Sequence, residues 1–314
     1  MKKIFLFFML GILLLSFFTS ATNIEKKSII NDGDVGADGV TEYWAALIAA
    51  GKYGPGLAPS RWLVNDTIGV KNSLLNYGWK KENIKHEASL IGLGVTRKKI
   101  LNAIDWLELR EDEDDVVLMF FSIHGYYQED KYPFDELDGK DESIYPSYGS
   151  PITDDELGVL LNKFESKQII VIFNACYAGG MIDGNMDLKG EGRVILTSSN
   201  ADETSIGFYH GEHENSIFSY YLIEGLKGPA DKNNDKNISV EEIFEYAAAR
   251  TTSYANKQGH LQNPQIYDAY PTQENNDYEL NIIDLEKKDR KREVDNVFLR
   301  LFDQFPLLKL LLKL

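Results

Sequence analysis

Several common chemistries are excluded by what this chain lacks. It holds one cysteine in 314 residues, so no intramolecular disulfide can form and no multi-cysteine zinc site can be built. Basic side chains are scarce, 33 Lys and Arg against 49 Asp and Glu, for a net charge of −16. Neutralising phosphates with Lys and Arg supplies most nucleic-acid affinity, so no nucleic-acid partner is expected. No glycine-rich phosphate loop, Gly-x-Gly-x-x-Gly or Gly-x-Ser-x-Gly elbow occurs, which leaves nucleotide and serine-hydrolase readings without support. What is present is 43% hydrophobic and 12% aromatic residues, enough to bury at least one large core.

Both ends differ in character from the middle. Lys2 and Lys3 precede an apolar run from Ile4 to Phe18, then Thr19-Ser20-Ala21. A basic start, a short apolar run and small residues at its end describe a signal peptide. Residues 1–21 are therefore expected to be removed and the mature chain exported, secreted or extracytoplasmic. A spanning helix wants about 20 apolar residues, so an uncleaved membrane anchor is the weaker alternative. At the far end, residues 286–292 are highly charged, and Val294, Val297, Phe298, Leu301, Phe302 and Phe305 then recur at helical spacing. Residues 286–314 are read as a charged linker and an amphipathic helix. It either packs on the domain or makes a membrane-surface contact.

Between the ends, strand and helix signals alternate. Tyr43 to Ala50 is an apolar run ending in a glycine-rich stretch, and Arg61 to Tyr77 has apolar residues at helical spacing until Gly78. Thr96 opens a second helix. Val116 to Ile123 is an unbroken apolar run after Asp112-Glu-Asp-Asp115, as in a strand buried on both faces. Thr153 and Glu156 form a capping-box pattern ahead of Leu157. Ile169 to Phe173 and Val194 to Thr197 read as strands, and Ser216 to Leu226 and Val240 to Ala249 as helices. Such alternation implies an α/β fold with a mostly parallel central sheet between helical layers.

Parallel sheets carry their sites at the carboxyl ends of the strands. His124-Gly125 follows one apolar run and Asn174-Ala175-Cys176 another, so the unique cysteine and a histidine fall at equivalent strand ends. Strands about 4.8 Å apart bring such residues within reach, and a neighbouring imidazole turns a thiol into a nucleophile. Gly125, Gly179 and Gly180 would leave backbone N–H groups open to a developing oxyanion. A bland alternative makes Cys176 a small core residue and His124 an ordinary loop residue. The paired placement beside glycines favours the catalytic reading.

Phe121-Ser-Ile-His124-Gly125, followed 52 residues after His124 by Cys176 in Asn174-Ala-Cys-Tyr-Ala-Gly179, resembles the caspase–legumain–metacaspase clan of cysteine peptidases. The lead-in Asp114-Asp-Val-Val, the stretch Ile152-Thr-Asp-Asp-Glu-Leu and Ser198 to Ser205 add to the likeness, which covers about residues 42–270. The resemblance implies a caspase-like three-layer α/β/α peptidase domain. It makes Cys176 the nucleophile and His124 the general base and acid, with Gly125 and Cys176 N–H groups forming the oxyanion hole. No cofactor would be required, and the partner would be a peptide or protein substrate. Asn174 departs from the acid that metacaspases, which bind a basic residue on the acyl side (P1) of the scissile bond, carry there. Arg61 lies where legumains and caspases place an arginine that pairs with a P1 Asn or Asp, the expectation adopted here. Asp202 would instead face a P1 Arg or Lys.

Asp231-Lys-Asn233-Asn-Asp235-Lys-Asn237-Ile-Ser239-Val-Glu-Glu242 has the ligand spacing of an EF-hand loop, with Lys236 where glycine belongs. Two readings stay open: a weak Ca²⁺ site formed by Asp231, Asn233, Asp235, Asn237, Ser239 and Glu242, or an Asx-rich turn. Two rivals to the peptidase are a catalytically inactive caspase-like interaction domain and a metal-dependent hydrolase built on His210, His213 and Cys176. The second lacks the i, i+4 histidine spacing that puts two ligands on one helix face.

Overall fold

The computed structural model describes residues 38–54, 60–131, 134, 136, 138–184, 188–208, 213–272, 274 and 279–288. The expected signal segment, the stretch beyond residue 288 and His210 lie outside them. In chain order the elements are β1 (Tyr43–Ala50), α1 (Arg61–Asn76), β2 (Ile84–Ser89), α2 (Arg97–Glu108), β3 (Val116–Ser122), β4 (His124–Glu129), β5 (Lys140–Tyr145), β6 (Ile152–Thr153), α3 (Asp154–Leu161), β7 (Gln168–Asn174), β8 (Arg193–Thr197), α4 (Ile217–Gly225), β9 (Asn237–Ser239), α5 (Val240–Lys257), β10 (Gln265–Asp268) and β11 (Asn281–Asp284).

The long apolar runs are central strands. Six strands form one sheet in the order β10-β8-β7-β3-β1-β2, parallel throughout except for β10, which runs antiparallel to β8. Alternate side chains leave opposite faces of a strand, and both faces here are covered. Leu47, Leu118, Phe120, Ile172 and Leu196 pack with Val70 and Leu74 of α1, Phe218 and Leu222 of α4 and Ile243 of α5. Ile48, Met119, Phe121, Val171 and Phe173 pack with Ile100, Ile104 and Leu107 of α2 and Leu157 of α3. That makes the three-layer α/β/α arrangement, and it explains why β3 is buried at every residue. Each large side chain so buried contributes about 1.5–3 kcal/mol.

Helix starts follow the sequence signals, with one difference. Thr96 Oγ1 accepts the Lys99 N–H at 3.3 Å, and Thr153 Oγ1 accepts that of Glu156 at 3.2 Å. The Glu156 carboxylate, however, pairs with Arg97. Arg97 offers a full charge where the backbone N–H of a capping box offers only a dipole. A complete capping box does form at Ser239 and Glu242, ahead of α5.

Candidate active site

The β3–β7 register pairs Ser122 with Asn174. His124 and Cys176 each lie two residues further on, so they leave the sheet at the same height from neighbouring strands. The Ile123 N–H continues the ladder to the Asn174 carbonyl at 3.2 Å.

After Asn174 the chain turns sharply. Tyr177 sits in the left-handed region at φ 57°, ψ 20°, an uncommon state for a non-glycine residue and one that clusters at functional turns. Its N–H is held by the Glu203 carbonyl at 2.7 Å. A short 3₁₀ turn, Ala178–Ile182, follows. The segment after β8 braces this turn: Ser198 Oγ accepts the Ala175 N–H at 3.1 Å, and Ser199 Oγ accepts that of Ala178 at 3.2 Å. Among the described residues no acceptor takes the Cys176 N–H.

The glycines divide by role. A Cβ on Gly125 would lie 2.2 Å from the Cys176 carbonyl oxygen, so only glycine lets β4 approach the turn this closely. Gly179 abuts the Asn200–Ala201 backbone, and Gly180 abuts the Glu142 carboxyl. These two serve close packing rather than an opening toward an oxyanion, and the Gly180 N–H is already taken by the Tyr177 carbonyl.

His124 and Cys176 line one cavity of about 370 Å³, together with Ser60, Trp62, Leu63, Asn174, Ser205 to Phe208 and Ser216. The Cys176 thiol donates to the Ser205 carbonyl at 3.7 Å. Burial pushes the thiol above its ordinary range and the imidazole below its own. Both shifts disfavour a resting thiolate–imidazolium pair.

Behind the cavity wall lies Asp66, fully buried on α1, which sequence reasoning missed. Its Oδ2 accepts Ser122 Oγ at 2.8 Å, Asn174 Nδ2 at 3.1 Å and Ser216 Oγ at 2.7 Å. Its Oδ1 accepts Asn215 Nδ2 at 2.9 Å and the Ser216 N–H at 3.1 Å. Burial lifts its pKa to about 6, and these hydrogen bonds oppose the rise. Asn174, whose amide nitrogen this carboxylate holds, offers Oδ1 to the Ser205 hydroxyl at 3.4 Å. The available signal was an acid on the same helical stripe as Leu63, Thr67, Val70 and Leu74. Of the three residues considered for substrate binding, Asn174 lines the cavity. Arg61 and Asp202 are exposed and are not among its lining residues.

The residues considered for metal binding are separate from this cavity. In the 231–242 loop, Glu242 Oε1 accepts the N–H groups of Lys232 (2.9 Å) and Asn233 (3.2 Å), and Oε2 that of Ser239. Asn233 and Asp235 accept the N–H groups two residues on, and Lys236 adopts φ 75°. These are the bonds of an Asx-rich turn. His213 stacks on Tyr220 with ring centroids 4.0 Å apart, and among the described residues no close group of three metal-ligating side chains includes Cys176. Glu142 is different. It is 1% exposed, neither carboxyl oxygen has a hydrogen-bond partner among the described residues, and burial with Asp183 and Asp138 nearby lifts its pKa to about 8. A proton or a cation would relieve it.

The three-layer α/β/α domain thus places a cysteine and a histidine at the ends of adjacent parallel strands. The caspase-domain model matches residues 43–275, more than half of the chain, which therefore belongs to the caspase-domain peptidase family. Its relatives include metacaspase-1 of Schizosaccharomyces pombe, 31% identical over 244 residues that cover 65% of this chain and 56% of that protein. Metacaspase-1 of Eremothecium gossypii is 31% identical over 150 residues, covering 44% of this chain and 32% of that protein. Metacaspase-6 of Arabidopsis thaliana is 31% identical over 150 residues, covering 46% and 41%. The chain thus spans about a third to little more than half the length of these curated relatives. A crystal structure of a protein from Geobacter sulfurreducens shares the fold, with TM-score 0.53 and 17% identity over 72% of this chain and 92% of that one.

Proposed function

We propose that this chain is a cysteine endopeptidase acting on protein substrates and cleaving after a basic residue. The observation that carries the reading is that one cavity has Cys176 and His124 on its wall and the Asp66 carboxylate behind its polar end. In the reaction, His124 takes the Sγ proton as sulfur adds to the scissile carbonyl carbon. The carbonyl oxygen gains the electron pair, held by the N–H groups of Gly125 and Cys176. Collapse expels the amine, which takes the proton back from the imidazolium, and leaves a thioester on Cys176. Water, deprotonated by His124, adds to the thioester carbon; collapse breaks the C–S bond, the departing sulfur takes the proton from the imidazolium, and the acid is released.

Charge decides the P1 preference. Asp66 is ionised above about pH 6, and among the described residues no Lys or Arg lines the cavity. That carboxylate, behind the wall formed by Asn174 and Ser216, would attract a P1 cation and repel a P1 carboxylate. The expectation of P1 Asn or Asp through Arg61 has no such support, because Arg61 does not line the cavity. Profiling against a peptide library tests the preference: cleavage after Arg or Lys is expected, and cleavage only after Asn or Asp would overturn it. Export is part of the same proposal, resting on residues 1–21. N-terminal sequencing of protein recovered outside the cytoplasm should begin near Thr22, and an intact Met1 in a membrane fraction would contradict it.

A further inference from the structure

Loops after neighbouring parallel strands meet at one end of a sheet, and β1 lies beside β3. The chain leaving β1 therefore reaches the residues that follow β3, where His124 stands. Tyr53, three residues past Ala50, makes that contact in two ways. Its hydroxyl accepts the His124 backbone N–H at 3.0 Å and donates to the Tyr145 carbonyl at 3.0 Å. His124 and Tyr145 face each other in the β4–β5 register, so a single hydroxyl ties both ends of the first pair in that hairpin. The Tyr53 ring also lies against the imidazole, with centroids 4.6 Å apart and planes at 51°.

The two contacts restrict different motions. The hydroxyl fixes where the His124 backbone leaves the sheet, and the ring limits rotation of the imidazole. Burial keeps the phenol protonated across the working pH range, so its donor to Tyr145 persists.

We propose that Tyr53 is a positioning residue for His124, holding the imidazole in the orientation from which it takes the Cys176 proton. The proposal rests on the reading of His124 as the proton carrier of a cysteine peptidase. Tyr53→Phe keeps the ring and deletes the hydroxyl. Misplacing a catalytic group by about 1 Å can cost 10²-fold in rate, so kcat is expected to fall about 10- to 100-fold with KM unchanged. The ¹³C-labelled imidazole of His124, assigned with His124→Ala, should give one sharp signal in the unsubstituted protein and a split or broadened one in Tyr53→Phe. An unchanged kcat with an unchanged ring signal overturns the proposal. So does a fall in kcat/KM that comes from KM alone, in a folded variant with an unchanged ring signal. If the unsubstituted protein hydrolyses no peptide, the peptidase reading fails by itself, and the ring signal still decides the positioning. Should Tyr53→Phe not fold, amide exchange in the unsubstituted protein decides: the His124 N–H is expected to be protected, and exchange at the unprotected rate overturns the proposal.

Discussion

Gly125→Ala probes the closest approach in the site. The new Cβ would lie 2.2 Å from the Cys176 carbonyl oxygen and 3.1 Å from the Ala175 Cβ. Attractive carbon–oxygen contacts sit at about 3.3–3.6 Å, so roughly 1 Å must open between β4 and the cysteine turn. Neither neighbour is the free end of a flexible chain, and Ser198 and Ser199 hold the turn from its other side. A displacement of that size costs about 10²-fold in turnover, about 2.7 kcal/mol at 1.36 kcal/mol per tenfold. Overpacking strain should add a destabilisation of about 1–3 kcal/mol, and each kcal/mol lowers Tm by roughly 2–4 °C in a domain of this size. The assay is kcat and KM on a fluorogenic peptide with a thermal melt, beside Gly54→Ala, where nothing among the described residues lies within 4 Å of the added methyl. Gly54→Ala should behave as the unsubstituted chain. A Gly125→Ala protein with unaltered turnover and Tm would refute the argument.

Three further outcomes follow from the same structure. Asp66→Asn leaves at least one buried donor without an acceptor, so it should lose about 1–3 kcal/mol of stability and weaken any preference for P1 Arg; unchanged denaturation and unchanged preference would contradict this. Asp66, Glu111 and Glu142 are held at about 6, 7 and 8, all above ordinary carboxylates and chiefly by burial. Each binds its proton more tightly in the folded chain, so its stabilising contribution is present below about pH 4 and is lost as pH rises through those values. Thermal melts in EDTA should therefore show Tm falling from about pH 5 to about pH 8.5, with Glu142→Gln flattening the last part; a rising Tm would refute the sign. For the 231–242 loop, Ca²⁺ must displace N–H groups already held by Glu242, so calorimetry should give a dissociation constant no tighter than about 10⁻⁴–10⁻³ M, and submicromolar binding would contradict it.

The sheet was legible because β3 and β7 are apolar on both faces, a pattern that few other elements produce. The helix after Ser239 runs eight residues past the expected Ala249, to Lys257, because its buried positions beyond Arg250 are Thr251 and Ala255, one polar and one small, and the apolar signal ends early. Strands β4 to β6 were not legible. They form a separate three-stranded sheet in which β4 is exposed or half-buried along its length, and its Tyr and Gln residues mimic a loop. The placement of His124 and Cys176 at neighbouring strand ends was legible because His124 follows one apolar run and Asn174-Ala175-Cys176 follows another. Asp66 was not, since one acid on a helix stripe carries no sign of the four side chains, distant in sequence, that converge on it. Tyr53 was hidden for the same reason: its partners lie 71 and 92 residues away.

Comparing the unsubstituted protein with Cys176→Ala on the peptide it cleaves best tests the central claim most directly, with intact mass recorded during turnover. The account predicts cleavage and a transient acyl adduct on Cys176 in the first, and neither in the second, with the melting transition preserved. Cleavage retained by Cys176→Ala would contradict it.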